Sequence, residues 1–189
     1  MARPTPPARP DGLVVAEGYV PGALAAVIGL HMDYYGPRWG FGLPFEAKVA
    51  GEMAAFLERL EPARDLFLVA RDGDGRVLGS ISVDGAVSGT EAAHLRWFII
   101  GDACRGTGLG RRLLDQAVAF CDRRGVARSY LTTFAGLDAA RHLYESVGFT
   151  LVSTSAVDQW GGGVREQRFE RPGPLSDTPE HRPGRGSPG

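Results

Sequence analysis

The segment 93–125 constrains the chain most: an apolar run "AHLRWFII", then "GDACRGTGLG", then "RRLLDQAVAFCDRRG". An apolar strand that passes through glycines 106, 108 and 110 into an amphipathic helix commits the fold to a βα unit. Such a junction aims free backbone N–H groups at one point, and the positive end of the helix adds to the field there. Gly106, Gly108 and Gly110 also remove Cβ atoms that would hold a phosphate away. Arg105, Arg111 and Arg112 supply charge at the rim. The alternative is a plain glycine-rich connector. Two nucleotide motifs are excluded. A P-loop needs Gly-Lys-Ser/Thr after its spacer, and a dinucleotide fingerprint needs G-x-G-x-x-G where this chain has G-x-G-x-G.

The rest of the chain supplies a sheet for that unit. "LVVAEGY" (13–19) predicts a first strand, and 22–35 and 45–60 predict two helices separated by a loop at 36–44 rich in Gly and Pro. "DLFLVAR" (65–71) and "VLGSISVDG" (77–85) flank "DGDG", which predicts a hairpin. After the strand 93–100 and the helix from Leu109 to about Arg124, a strand at 127–133, a helix at 138–147 and strands at 149–157 and 163–170 complete the order. The order β-α-α-β-β-β-α-β-α-β-β predicts an α/β (α+β) domain: a mixed, mostly antiparallel sheet of six to seven strands with helices on both faces. The domain is expected over 12–171, between a disordered lead-in at 1–11 and a disordered Pro/Gly-rich tail at 172–189.

Composition narrows the function classes. A net charge of −1 gives no global basic field for nucleic acid or an anionic membrane. Cys104 and Cys121 form neither a disulfide framework nor a zinc motif, so no metal is expected, and free thiols fit a reducing cytoplasm. No signal peptide or membrane span is expected, and the chain is expected to be a monomer or homodimer.

"RGTGLGRRLL" resembles the R/Q-x-x-G-x-G/A signature of the GNAT superfamily of N-acetyltransferases, with Arg105, Gly108 and Gly110 at the named positions. "AARHLYESVGF" (139–149) resembles the second signature of that family, a helix ending in Tyr-x-x-x-Gly-Phe. The segments "WGFGLPFEAKVA", "LTTFAGLDAARHLYESVGF" and "WGGGVREQRFE" are similar to acetyltransferase domains fused behind MarR-type DNA-binding domains. Only about a dozen residues precede the first strand here, so nucleic-acid binding is not carried over.

The resemblance implies an acetyl-CoA-dependent transfer to a primary amine of a small molecule or peptide. A longer acyl donor, or a non-catalytic acyl-CoA sensor, is the alternative. It implies that main-chain groups of Phe98, Ile99 and Ile100 pair with pantetheine. The loop Arg105, Gly106, Thr107, Gly108, Leu109 and Gly110 is implied to hold the pyrophosphate, with Arg105 or Arg111 beside it. Tyr144 matches the family's acid beside the sulfur, although its spacing with Ala140, Leu143 and Val147 also suits a packed face. His94 and Glu91 are candidates for the base, although a histidine at position 94 more often serves a surface or packing role. Alternation along the strand puts His94 and Arg96 on the face of Phe98 and Ile100. Arg96 is read as an ion-pair partner or a contact for an acidic substrate. Tyr34, Tyr35, Trp39, Phe41 and Trp160 are read either as an acceptor pocket or as a seal on the sheet edge. Many family members carry asparagine seven residues before the tyrosine; Leu137 stands there, so that contact is not carried over.

Overall fold

The computed structural model describes residues 12–85, 92–156, 159 and 163–174. The expected lead-in, most of the expected tail, and the candidates Glu91 and Trp160 lie outside the described residues. The elements are β1 (Val14–Glu17), α1 (Ala23–Trp39), α2 (Leu43–Glu58), β2 (Leu66–Arg71), β3 (Val77–Asp84) and β4 (Ala92–Ile100). A 3₁₀ turn (Asp102–Cys104) then leads to α3 (Leu109–Arg123), β5 (Arg128–Phe134), α4 (Asp138–Glu145), β6 (Thr150–Ser155) and β7 (Glu166–Pro172). The strands form one sheet of seven in the order β1-β2-β3-β4-β5-β7-β6. Among the described residues only β4–β5 pairs in parallel. This is the mixed, mostly antiparallel architecture that the element order predicts.

Two apolar cores lie on opposite sides of the sheet. On one side Leu113, Leu114, Ala117 and Phe120 of α3 pack against Leu66, Leu68, Val83 and Leu95, and α4 joins through Tyr144. On the other side Val27 of α1 and Phe45, Met53 and Phe56 of α2 cover Phe67, Val69, Trp97 and Ile99. Each large apolar side chain so buried contributes about 1.5–3 kcal/mol. Charged groups pin the layers at their edges: Arg171 of β7 clamps Asp122 of α3 with bonds of 2.7 and 2.9 Å.

Local chemistry accounts for the turns. The Asp72 carboxylate accepts from the N–H groups of Asp74 and Arg76 at 3.1 and 2.8 Å, closing the β2–β3 hairpin. The largest boundary departure from expectation is at the end of α1. The loop predicted at 36–44 is helical as far as Trp39, with Pro37 inside α1. Gly36 before the proline relieves the clash that disfavours helix there, and Arg38 reaches back to the Tyr34 carbonyl at 3.1 Å. Gly40 then ends the helix in the left-handed conformation, its N–H bonded to Gly36 O at 2.9 Å.

A β-bulge in β4 matters most for the site. Ser80 pairs with Ile99 and Ser82 with Arg96, so Trp97 and Phe98 together lie opposite Ile81. Trp97 has φ 48°, which non-glycine residues rarely adopt. The extra residue reverses the alternation along the strand. Phe98 and Ile100 pack on the α3 side, whereas Trp97 and Ile99 lie in the α1–α2 core. Arg96 also faces α2, where it pairs with Glu52. The expectation that His94 and Arg96 share a face with Phe98 and Ile100 is therefore wrong, because strict alternation does not survive a bulge.

Candidate active site

The parallel strands β4 and β5 pair only at Ala92–Arg128, Ala93–Ser129 and His94–Tyr130. Beyond His94 they part, and the bulge at Trp97 lies in the parting segment. On its other edge β4 stays bonded to β3, with the Gly101 N–H on Leu78 O at 2.8 Å. Antiparallel alternation then turns the main-chain groups of Ile99 towards β3 and those of Phe98 and Ile100 towards the opening. The main-chain trio expected to face a ligand is thus reduced to Phe98 and Ile100. The Ile100 carbonyl is already taken by Arg105 at 3.1 Å.

At the mouth of the opening the glycine loop enters α3. Gly106 and Gly108 have φ of 76° and 88°, and Gly108 is the residue immediately before the helix. A Cβ at Gly108 would meet nothing within 4 Å, so the glycine keeps an open approach. Gly110 is different: its Cβ would lie 3.4–3.5 Å from Ile100, Leu143 and Phe98, in ordinary contact. The first helical bond runs from Arg112 N–H to Gly108 O at 3.0 Å, leaving the N–H groups of Leu109, Gly110 and Arg111 at the open end. Thr107 turns its hydroxyl inward to Cys104 O at 2.7 Å. The arginines are engaged. Arg105 lies over the Tyr34 ring and pairs with Asp102, while Arg111 holds Asp115 and Ser146. An anion at this point is offered main-chain donors first.

Behind the parting lies a cavity of about 350 Å³, lined from α1 and α2 by His31, Tyr35, Phe45, Lys48 and Glu52. From the sheet it is lined by His94 to Phe98 and Leu131 to Phe134, with Tyr144 and Gln159 completing the wall. Tyr144 is buried, its ring 6.0 Å from that of Phe98. Burial, with a smaller contribution from Tyr35, raises its hydroxyl pKa well above the usual phenol range. His94 stacks on Tyr130 with ring centres 4.3 Å apart. Burial first, then the charges of Arg96 and Arg168, lower its pKa to about 3. His31 bonds Val27 O at 2.8 Å, and burial lowers its pKa to about 4. Both imidazoles are neutral at physiological pH.

The one charged wall is Glu52 held between Lys48, at 2.7 Å, and Arg96. Burial opposes ionisation of Glu52, yet these two cations hold its carboxyl below the usual range. Arg96 in turn lies over the Trp97 ring, 4.2 Å from its centre.

The cavity brings together Tyr144, His94, Tyr35 and Arg96 from among the candidates. Tyr34 instead lines a separate hollow beside Asp102 and Cys104. Trp39 and Phe41 pack on Tyr35 and Phe134. Leu137 is buried in the α1–α2 core at the start of α4. His31, Lys48, Glu52, Thr132, Thr133 and Gln159 were missed. For Lys48 and Glu52 the signal was a four-residue charge spacing beside the apolar stripe of α2, which on its own reads as a solvated face. Among the described residues no three His, Cys, Asp or Glu side chains gather as metal ligands, and no helix is long and apolar enough to cross a membrane.

A mixed sheet that parts between two parallel strands beside a glycine-rich helix start defines an acetyltransferase-type α/β domain. The chain belongs to the acetyltransferase (GNAT) family, whose sequence model matches residues 24–149. It is 29% identical over 115 residues to an uncharacterized N-acetyltransferase of Schizosaccharomyces pombe, covering 61% of this chain and 69% of that protein. It is 38% identical over 93 residues to mycothiol acetyltransferase of Beutenbergia cavernae, covering 48% of this chain but only 30% of that protein. A GCN5-related N-acetyltransferase from Kribbella flavida shares the fold, with a TM-score of 0.67 and 22% identity over 85% of this chain and 98% of that one.

Proposed function

We propose that the protein is an acetyl-CoA-dependent N-acetyltransferase that moves the acetyl group directly to a primary amine of a small molecule or peptide. The observation that carries this is the parting of β4 from β5 at the open N-terminus of α3, with a partly open cavity behind it. The opening fits the donor. The main-chain groups of Phe98 and the N–H of Ile100 suit the pantetheine amides. Within the 105–110 loop the N–H groups of Arg105 and Thr107 are bonded to Asp102 O and Cys104 O, and those of Leu109, Gly110 and Arg111 suit a pyrophosphate, with the Arg111 side chain at the rim. The similarity of the segments quoted above to acetyltransferase domains fused to MarR-type regulators belongs to the same reading, as does a cytoplasmic monomer or homodimer.

Acetyl-CoA supplies an acyl carbon already activated as a thioester, so placing an amine against it supplies much of the acceleration. The cavity places the amine against the thioester. Tyr144 is placed as the acid that donates its proton to the departing thiolate; the burial that keeps it protonated also makes it a weak acid. The amine must lose a proton, and His94 or Glu91 acts as the acceptor through water. With a pKa of about 3, His94 is neutral and able to accept, but it is a weak base. Tyr35 and Arg96 contribute to the acceptor wall, Arg96 in company with Glu52.

Calorimetric titration with acetyl-CoA, followed by a thiol-release assay over a panel of amines, tests the proposal. Saturable binding and amine-dependent thiol release are expected. No binding at millimolar ligand overturns it, and binding without release for any amine favours the non-catalytic sensor.

A further inference from the structure

Trp97 has φ 48° and lies in the bulge that separates the two halves of β4. A tryptophan does not hold that conformation unaided, so its surroundings must impose it. Its ring is packed on Phe56, with centres 5.3 Å apart, and covered by Arg96. These contacts fix the side chain. They do not orient the peptide. The Trp97 carbonyl is instead held by the hydroxyl of Ser80, which donates to it at 2.9 Å from the neighbouring strand. Ser80 is completely buried, so no water replaces that bond without rearrangement.

The bulge decides where β4 sends its free main-chain groups. With it, Phe98 and Ile100 turn theirs to the opening, and their side chains pack towards α3. Regular pairing in its place shifts the register by one residue, which exchanges the two faces and the two edges of everything beyond it. We propose that Ser80 is a positioning residue for the acyl donor: through the Trp97 carbonyl it keeps the main chain of Phe98 and Ile100 aimed at the pantetheine arm. This rests on the acyl-CoA reading above. Ser80 is not among the residues lining the cavity.

The test compares two ligands, acetyl-CoA and the phosphoadenosine diphosphate portion of CoA without pantetheine, titrated into the full chain and into Ser80→Ala. The nucleotide reaches the glycine loop but not the strand. Ser80→Ala is expected to weaken acetyl-CoA about tenfold and to leave the nucleotide within about twofold, since one buried hydrogen bond orients only the strand. Ser80→Cys keeps the shape with a weak donor and is expected to fall between, and it decides the matter alone if the alanine variant does not fold. Unchanged acetyl-CoA affinity in the variants, or an equal loss for both ligands, overturns the role of Ser80. Failure of the unaltered chain to bind acetyl-CoA overturns the acyl-CoA reading instead, before any variant is compared.

Discussion

The Arg105 guanidinium lies 3.7 Å from the centre of the Tyr34 ring, joining the glycine loop to α1. The same group donates to Ile100 O at 3.1 Å and forms an ion pair with Asp102 at 2.7 Å, and Arg38 stacks on Tyr34 from 4.4 Å. The arginine of the motif is thus a fastener between β4, the loop and α1 more than a free cation for phosphate. Tyr34→Leu keeps an apolar contact but removes the cation–π partner. It is expected to cost about 1 kcal/mol in urea unfolding and to weaken acetyl-CoA a few-fold through a looser loop.

Gly108 and Gly110 are distinguishable by substitution. A valine at 108 must adopt φ near 88°, with a strain of about 1–2 kcal/mol, and it also projects into the open approach to α3. Acetyl-CoA affinity is expected to fall at least about tenfold, a loss of about 1.4 kcal/mol in binding. Gly110→Ala meets only ordinary contacts and is expected to bind within about twofold of the unaltered chain. Calorimetry on both variants checks the pair, and equal affinity in Gly108→Val removes the loop from the donor site.

Tyr144→Phe tests the acid. Removing the hydroxyl leaves the ring contacts with Phe98, Phe149 and Phe169 in place. The expected outcome is a fall in kcat of about 100-fold with little change in KM for acetyl-CoA. Because burial raises its pKa, Tyr144 stays protonated at neutral and mildly alkaline pH, so the activity profile of the unaltered enzyme should show no loss there from Tyr144 ionisation. Unchanged turnover in the variant excludes the role.

His31 gives a pH signature of stability. Its pKa is about 4 in the folded chain and 6.5 in the free side chain, so between these values the unfolded state binds the extra proton. Its contribution is complete above pH 6.5 and is lost as pH falls towards 4, by up to about 1.4 kcal/mol per pH unit. His31→Gln removes the titration. Urea unfolding of the two proteins across that window should show a shallower decline for the variant, and parallel curves would contradict it.

The glycine motif and the order of elements were legible in the sequence because both are local. Glycine at 106 and 108 answers a backbone requirement at those positions, and each amphipathic stripe records which side of its own element is buried. The acceptor wall was not legible. Lys48 and Glu52 became part of a cavity only because α2 lies across β4, where Arg96 meets Glu52. The aromatic run 34–41 reads from sequence as one cluster, yet Tyr35 lines the cavity, Tyr34 serves the glycine loop, and Trp39 and Phe41 pack on their neighbours.

The sequence by itself determined the fold class, the position of the glycine loop and the family signature, since these depend on spacing within one segment. Only the tertiary structure decided which faces of β4 carry Arg96 and Phe98. That assignment depends on a bulge at Trp97, whose carbonyl accepts a bond from Ser80, 17 residues earlier and on another strand. Alternation is a property of a single strand, but a break in it arises between two.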